Sequence, residues 1–224
     1  MQTLLKNQIK ILAFDVDGTL FSSESIILDT YIESIQKFII KSGKNVTVPT
    51  KEKIIEQVGL PVKQIFQNLL PELEESERDS ISDNVLILLC EKIEAKKGKL
   101  YDGVVKTIED LYNRNYILCI ASNGRAPYIQ SILRAYQLEQ YFKELVVIDY
   151  QVVQSKGDIL EAYLKKYNES GENALMIGDR KSDLDAALQA GSPFAFCEYG
   201  HADPGEIDVY SVKLRDISEL LTYL

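Results

Sequence analysis

The sequence predicts an α/β fold: a doubly wound parallel sheet of Rossmann-like character, with a helical unit inserted after its first strand. Three observations predict it. Apolar runs of strand length alternate with amphipathic helical patterns through the C-terminal half. The segment between the first two runs has a purely helical character. Carboxylates and a serine stand at the C-terminal ends of the runs, where open α/β sheets bind their ligands.

Residues 9–14, Ile-Lys-Ile-Leu-Ala-Phe, read as a buried parallel strand. Asp15-Val16-Asp17-Gly18-Thr19 follows. Two carboxylates this close to a strand end cannot both enter the core, since an uncompensated buried charge costs on the order of several kcal/mol. Gly18 allows a sharp turn behind them. Such crowding of negative charge calls for a cation, and hard oxygen ligands suit Mg²⁺. Taken alone, the stretch is also compatible with an Asx/Gly turn.

Next comes the helical segment. Residues 25–41 carry Ile32, Ile35, Phe38 and Ile39 at helical spacing. Thr50, after Pro49, caps a short helix ending at Gly59, and Pro61 starts another. Pro71-Glu72 opens a long helix, acidic then basic, with Ile81, Val85, Leu88 and Leu89 on one face and Lys96-Lys97-Gly98 at its end. Residues 22–99 therefore read as a small helical domain, and residues 1–21 with 100–224 as the α/β domain. Polar connections at 21–25 and 98–103 are candidate hinges.

Four further strands are predicted at 117–121, 145–148, 174–177 and 194–197. Helix faces flank them: Val104, Ile108 and Leu111; then Ile129, Ile132, Leu133 and Tyr136. A third face has Ile159, Leu160, Tyr163 and Leu164, and a fourth has Leu184, Ala187 and Leu188 before Gly191 stops the helix. Asp15, Ser122, Asp149 and Asp179 all fall at predicted strand ends.

Composition narrows the function classes. The chain has 224 residues, 46% hydrophobic, enough for one large domain or a domain with an insertion. A net charge of −9 argues against a basic nucleic-acid-binding face. No stretch has the length and apolarity of a membrane span, and the first eight residues lack a signal-peptide core. Cys90, Cys119 and Cys197 are scattered and odd in number, which suits reduced, buried thiols in a cytoplasmic protein. His201, the single histidine, argues against a histidine-based triad or metal site and reads as a loop residue.

The order Asp15-Val16-Asp17-Gly18-Thr19, then Ser122, then Lys156, then Gly178-Asp179-Arg180-Lys181-Ser182-Asp183 resembles the haloacid dehalogenase-like superfamily. Within it, the chain looks like the phosphoglycolate phosphatase-like hydrolases with a small helical cap. The resemblance implies that Asp15 is the nucleophile; a carboxylate can attack phosphorus and divide one hard displacement into two easier ones. It implies that Asp17 is the general acid and base, with its backbone carbonyl on the metal. Ser122, with the next backbone N–H, binds phosphate on this reading, and Asn123 adds a donor. Thr19 bonds the phosphate or nearby backbone. Lys156 neutralises Asp15 and the phosphate as a point charge. Asp179 is a direct Mg²⁺ ligand and Asp183 a ligand or the support of one, so the metal set is Asp15, Asp17, Asp179 and Asp183. Without the resemblance, Ser122-Asn123-Gly124 is an ordinary turn and Lys156 a surface lysine.

The implied function is a Mg²⁺-dependent phosphatase of a small phosphorylated metabolite, acting through an aspartyl-phosphate. Neither nucleic acid nor membrane is expected as a partner, and monomer and homodimer stay equally open. Alternatives are a phosphomutase, a phosphonate hydrolase, or a non-catalytic regulatory protein on the same fold. One departure leaves the substrate open: Leu20-Phe21-Ser22-Ser23-Glu24 lacks the early Asp-Ser or Asp-Thr pair of many phosphoglycolate phosphatases and mutases. Gly59-Leu60-Pro61 resembles the cap's substrate loop, so Leu60 and Lys63 are expected to set selectivity. Arg125 is assigned no role.

Overall fold

The computed structural model describes residues 8–224. The reading of the N-terminus as lacking a signal core falls, apart from Gln8, outside the described residues.

Strand β1 (Ile11–Phe14) sits inside a five-stranded parallel sheet, between β4 (Ile117–Ile120) and β5 (Ala174–Gly178). Beyond β5 lie β6 (Phe194–Cys197) and β7 (Val212–Leu214). β1 is apolar throughout because both faces are covered. Leu12 and Phe14 face one core, with Ile120 and Ile177. Ile11 and Ala13 face the other, with Met176, Ile159 and Tyr163. The strand order reverses beside β1, so the crevice for a ligand opens at its carboxyl end.

Two sheet expectations are corrected. Residues 145–148 form no strand. The chain touches β4 only through the Leu118–Phe142 bridge and a Lys143 N–H to Leu118 carbonyl bond of 2.9 Å. The Val146 N–H instead donates to the Tyr163 hydroxyl at 3.0 Å, and that hydroxyl donates to the Glu144 carbonyl at 3.1 Å. A side chain of helix α7 (Lys156–Tyr167) thus takes the backbone groups that a neighbouring strand would have paired. Asp149 consequently closes an exposed turn, accepting from Gln151, Val152 and Val153 N–H groups, and marks no strand tip. The sheet's edge strand opposite β4 is β7, whose three residues are too few to show periodicity.

Four helices lie between the strands of a small antiparallel ribbon, β2 (Phe21–Ser22) and β3 (Lys99–Leu100), which the sequence did not suggest. Helix α1 (Glu24–Ser42) buries Ile26, Ile27, Thr30, Tyr31, Ser34 and Ile35; Ile32, Phe38 and Ile39 are only partly covered. Helix α2 (Lys51–Ile55) is capped by the Thr50 side chain as expected, and α3 (Val62–Leu69) starts after Pro61. Helix α4 (Glu75–Glu94) starts later than Pro71. A Leu73-to-Leu70 backbone turn occupies those residues, and the Glu74 N–H donates to the Glu77 carboxylate at 3.2 Å to open the helix.

Helices α5 (Val104–Asn113), α6 (Ala126–Ala135), α7 and α8 (Lys181–Ala190) flank the sheet, and α9 (Leu220–Tyr223) closes the chain. The α8 face differs from expectation. Asp183, Leu184, Ala186 and Ala187 are buried, whereas Leu188 is 63% exposed. No helix among the described residues is long and apolar enough to cross a membrane.

Candidate active site

The tips of β1, β4 and β5 lie side by side and bring Asp15, Ser122 and Asp179 together. The Asp15 N–H continues the ladder to the Ile177 carbonyl at 2.9 Å, and the Ala121 N–H does the same to Phe14 at 2.8 Å. The chain then folds back on itself: the Leu20 and Phe21 N–H groups both donate to the Val16 carbonyl, at 2.8 and 2.9 Å. Gly18 sits at φ +81° in this loop, and a Cβ there would overlap the Asp179 carboxylate. At Gly178 a Cβ would overlap the Asp183 side chain. The glycines of both acidic motifs therefore let the carboxylates approach the backbone.

Lys156, in the first turn of α7, lies 3.0 Å from Asp15 Oδ1 and 2.7 Å from Asp183 Oδ1, with all three side chains buried. Asp183 Oδ2 accepts the N–H groups of Asp179 at 3.1 Å and Arg180 at 2.9 Å, which opens α8 and fixes the carboxylate. Asp179 accepts the Thr19 hydroxyl at 3.4 Å and the His201 N–H at 2.6 Å. Oxygens of Asp15, Asp179 and Asp183 lie within 4.8 Å of one another. The one ammonium pairs with two of these three buried carboxylates, and Asp15 Oδ2 has no hydrogen-bond partner. An oxygen-only donor set with an orphaned buried oxygen fits a hard divalent cation.

The electrostatics follow from this crowding. Burial pushes the Asp15 carboxyl well above the usual carboxylate range; Lys156 opposes the shift, while Asp183, Asp179 and Asp17 add to it. Burial raises Asp183 likewise, again against Lys156. Burial alone would lower Lys156, but the Asp15 and Asp183 carboxylates outweigh it and hold the ammonium above its ordinary value.

Asp17 stands apart from this group. Its Oδ1 accepts the Tyr128 hydroxyl at 2.6 Å and the Ser23 hydroxyl at 2.8 Å. Burial raises its carboxyl, and these two bonds pull it back. The side-chain oxygens that cluster for a metal come from Asp15, Asp179 and Asp183, not from Asp17. Thr19 is buried against Asp179. The Ser122 hydroxyl accepts the Gly124 N–H at 3.2 Å, and the Asn123 side-chain amide donates to the Gly59 carbonyl of the helical segment at 2.8 Å.

Residues 12–197 match the family model described as haloacid dehalogenase-like hydrolase. The chain belongs to that family. Among curated haloacid dehalogenase-like relatives, it is 28% identical over 224 residues to the pyrophosphatase PpaX of Listeria innocua, covering 95% of this chain and 96% of that one. It is 27% identical over 213 residues to a phosphoglycolate phosphatase of Vibrio cholerae, covering 88% of each. A crystal structure described as a predicted phosphatase from Clostridium acetobutylicum superposes with a TM-score of 0.80 at 24% identity, covering 96% of this chain and 97% of that one.

In this haloacid dehalogenase-like chain the helical segment lies over the acidic tips. A pocket of about 630 Å³, open solvent at its mouth included, has Asp15, Asp17, Ser122 and Asn123 on one side and residues of α1, α3 and α4 on the other. Leu60 lines it. Lys63 does not; it pairs with Glu75 at 2.9 Å and lies over the Tyr150 ring. Arg180 joins the two parts, donating to Glu206 at 2.9 Å and to the Val58 carbonyl at 3.0 Å. Tyr128, Ser23, Arg180 and His201 escaped the sequence reading. No local pattern marks the first three, and His201 was read as a loop residue. It is in a loop, but its side chain is mostly buried, with Nδ1 3.5 Å from Asp179 and Nε2 3.1 Å from Glu24.

Proposed function

We propose that this hydrolase is a phosphatase that cleaves the phosphate monoester of a small metabolite through an aspartyl-phosphate on Asp15. The single observation that carries the reading is Asp15 Oδ2: a buried carboxylate oxygen with no partner, on a side chain that lines the pocket. The names of the relatives agree with phosphoryl chemistry. Residues 22–99 act as the cap on this reading, over a core of residues 1–21 and 100–224.

Asp15, Asp179 and Asp183 would hold Mg²⁺, with Asp17 contributing through its backbone as the resemblance implies; the ion supplies positive charge against the carboxylate and the phosphate. The Asp15 carboxylate attacks phosphorus, a new P–O bond forms to Asp15, and the bond to the alcohol oxygen breaks. Asp17 gives that oxygen its proton. In the second step Asp17 takes a proton from water, which attacks phosphorus and releases phosphate with Asp15 restored. Tyr128 and Ser23 hold Asp17 Oδ1 in place for both transfers. Lys156 favours ionised Asp15 and, with the Ser122 hydroxyl, faces the phosphate oxygens. The three cysteines are free, two of them buried, in keeping with a cytoplasmic site of action.

The test is phosphate release from a panel of small monoesters, with Mg²⁺ and with excess chelator. Release should need the metal and vanish in Asp15→Asn, whose amide is a poor nucleophile of nearly the same shape. Near wild-type turnover by that variant on an activated ester would rule out covalent catalysis by Asp15.

A further inference from the structure

We infer that the substrate's leaving group is uncharged and mostly apolar: an aryl- or alkyl-alcohol phosphate rather than a molecule carrying a second anionic group. This rests on the phosphatase reading and names its substrate class. The side of the pocket opposite Asp15 is built from Tyr31, Leu60, Ile65, Phe66, Val85 and Leu89. Tyr31 and Phe66, both nearly inaccessible, stack with ring centroids 5.3 Å apart and planes within 8° of parallel. Ser82 and the Tyr31 hydroxyl are the cap's polar side-chain groups in that lining.

The cations decide the matter. Among the described residues lining the pocket, Arg125 is the only cationic side chain, and Asp83 holds it at 2.7 Å. Lys156 is engaged by Asp15 and Asp183. Arg180 is turned to Glu206 and the Val58 carbonyl, and Lys63 lies outside the pocket with Glu75. A carboxylate or second phosphate on the leaving group would face mainly aliphatic and aromatic side chains, with the Asp83-paired Arg125 at the exposed rim as the one cation in the lining. An apolar leaving group would instead bury its surface against this wall, which the Tyr31–Phe66 stack backs. The chain thus parts from what the names of its pyrophosphatase and phosphoglycolate phosphatase relatives suggest.

The experiment compares kcat/KM with Mg²⁺ for phenethyl phosphate, phosphoglycolate and pyrophosphate. Phenethyl phosphate should lead by about tenfold or more. Leu60→Lys, which places an ammonium in the wall, should narrow that lead by about tenfold, chiefly through KM. A wild-type preference for phosphoglycolate overturns the inference and leaves the phosphatase reading intact; a preference for pyrophosphate, an anhydride, overturns the inference and the monoester reading with it. Calorimetry on the Mg²⁺-loaded wild type supplies a readout without turnover, comparing phenylpropyl phosphonate with phosphonoacetate. Tighter binding of the phenylpropyl compound supports the apolar pocket, and if no ester is hydrolysed it sinks the phosphatase reading alone. Tighter binding of phosphonoacetate, or binding of neither, overturns the inference.

Discussion

Replacing Tyr128 with Phe removes one hydroxyl and little volume. In the native protein that hydroxyl donates to Asp17 Oδ1 over 2.6 Å at a largely buried site. A hydrogen bond to a charged acceptor contributes about 1.5–3 kcal/mol, and one pKa unit corresponds to about 1.4 kcal/mol. The bond favours ionised Asp17, so its loss lets burial push the carboxyl higher still. Full loss would be worth roughly one to two units. The Ser23 hydroxyl remains at 2.8 Å, so the lower value, about one unit, is expected. The assay is the pH profile of kcat/KM on an alkyl phosphate, whose leaving oxygen needs the Asp17 proton in the proposed mechanism. The alkaline limb reports protonated Asp17 and should move to higher pH by about one unit. The acidic limb, which needs ionised Asp15, should stay in place. Hydrolysis of the aspartyl-phosphate should slow, because its base is less often ionised. An alkaline limb that stays fixed or moves down would refute the assignment of Asp17 as the acid positioned by Tyr128.

Three further outcomes follow from the same geometry. Mg²⁺ should raise the unfolding temperature by relieving the carboxylate cluster, and the rise should shrink as pH falls. Asp15 and Asp183 are shifted upward in the metal-free protein, so protons displace the cation at milder acidity than for ordinary carboxylates; a shift that grows on acidification contradicts the site. Arg180→Ala removes a 3.0 Å bond to the Val58 carbonyl, a contribution of about 1.5–3 kcal/mol to the closed arrangement, and should raise KM about tenfold with circular dichroism unchanged. An unaltered KM would mean that Arg180 does not hold the cap. Gly18→Ala should destabilise by more than about 2 kcal/mol in denaturant titration, since φ +81° and the Asp179 carboxylate both exclude a methyl group; wild-type stability would show that the loop can yield.

Some of this was legible along the chain and some was not. Strands β1, β4, β5 and β6 announced themselves because a strand covered on both faces must be apolar at successive positions, a purely local property. Residues 145–148 carried the same pattern and still formed no ladder, because the Tyr163 hydroxyl answers the Val146 N–H. Their side chains remain partly buried on both cores, Val147 on one and Val146 on the other, which is why the apolar signal was there. β7 was invisible for the opposite reason: three residues pair because β6 offers an edge, not because of their own pattern.

The acidic motifs at the ends of β1 and β5 were readable because charge crowded beside an apolar run, with glycine where the backbone must turn, is costly without a cation; an Asx/Gly turn also suited the first alone, and the order of the motifs chose between them. Which oxygen each carboxylate turns to which partner was not readable. Asp17 meets Tyr128 across 111 positions of sequence, and Arg180 meets Val58 across 122. Those meetings depend on how whole helices pack, and no residue near Asp17 or Arg180 encodes them. The same holds for the pocket wall. The hydrophobic spacing of α4 made Val85 an ordinary core candidate, and Tyr31 of α1 was not singled out. Packing of the helical segment over the strand tips makes them the surface that a substrate would meet.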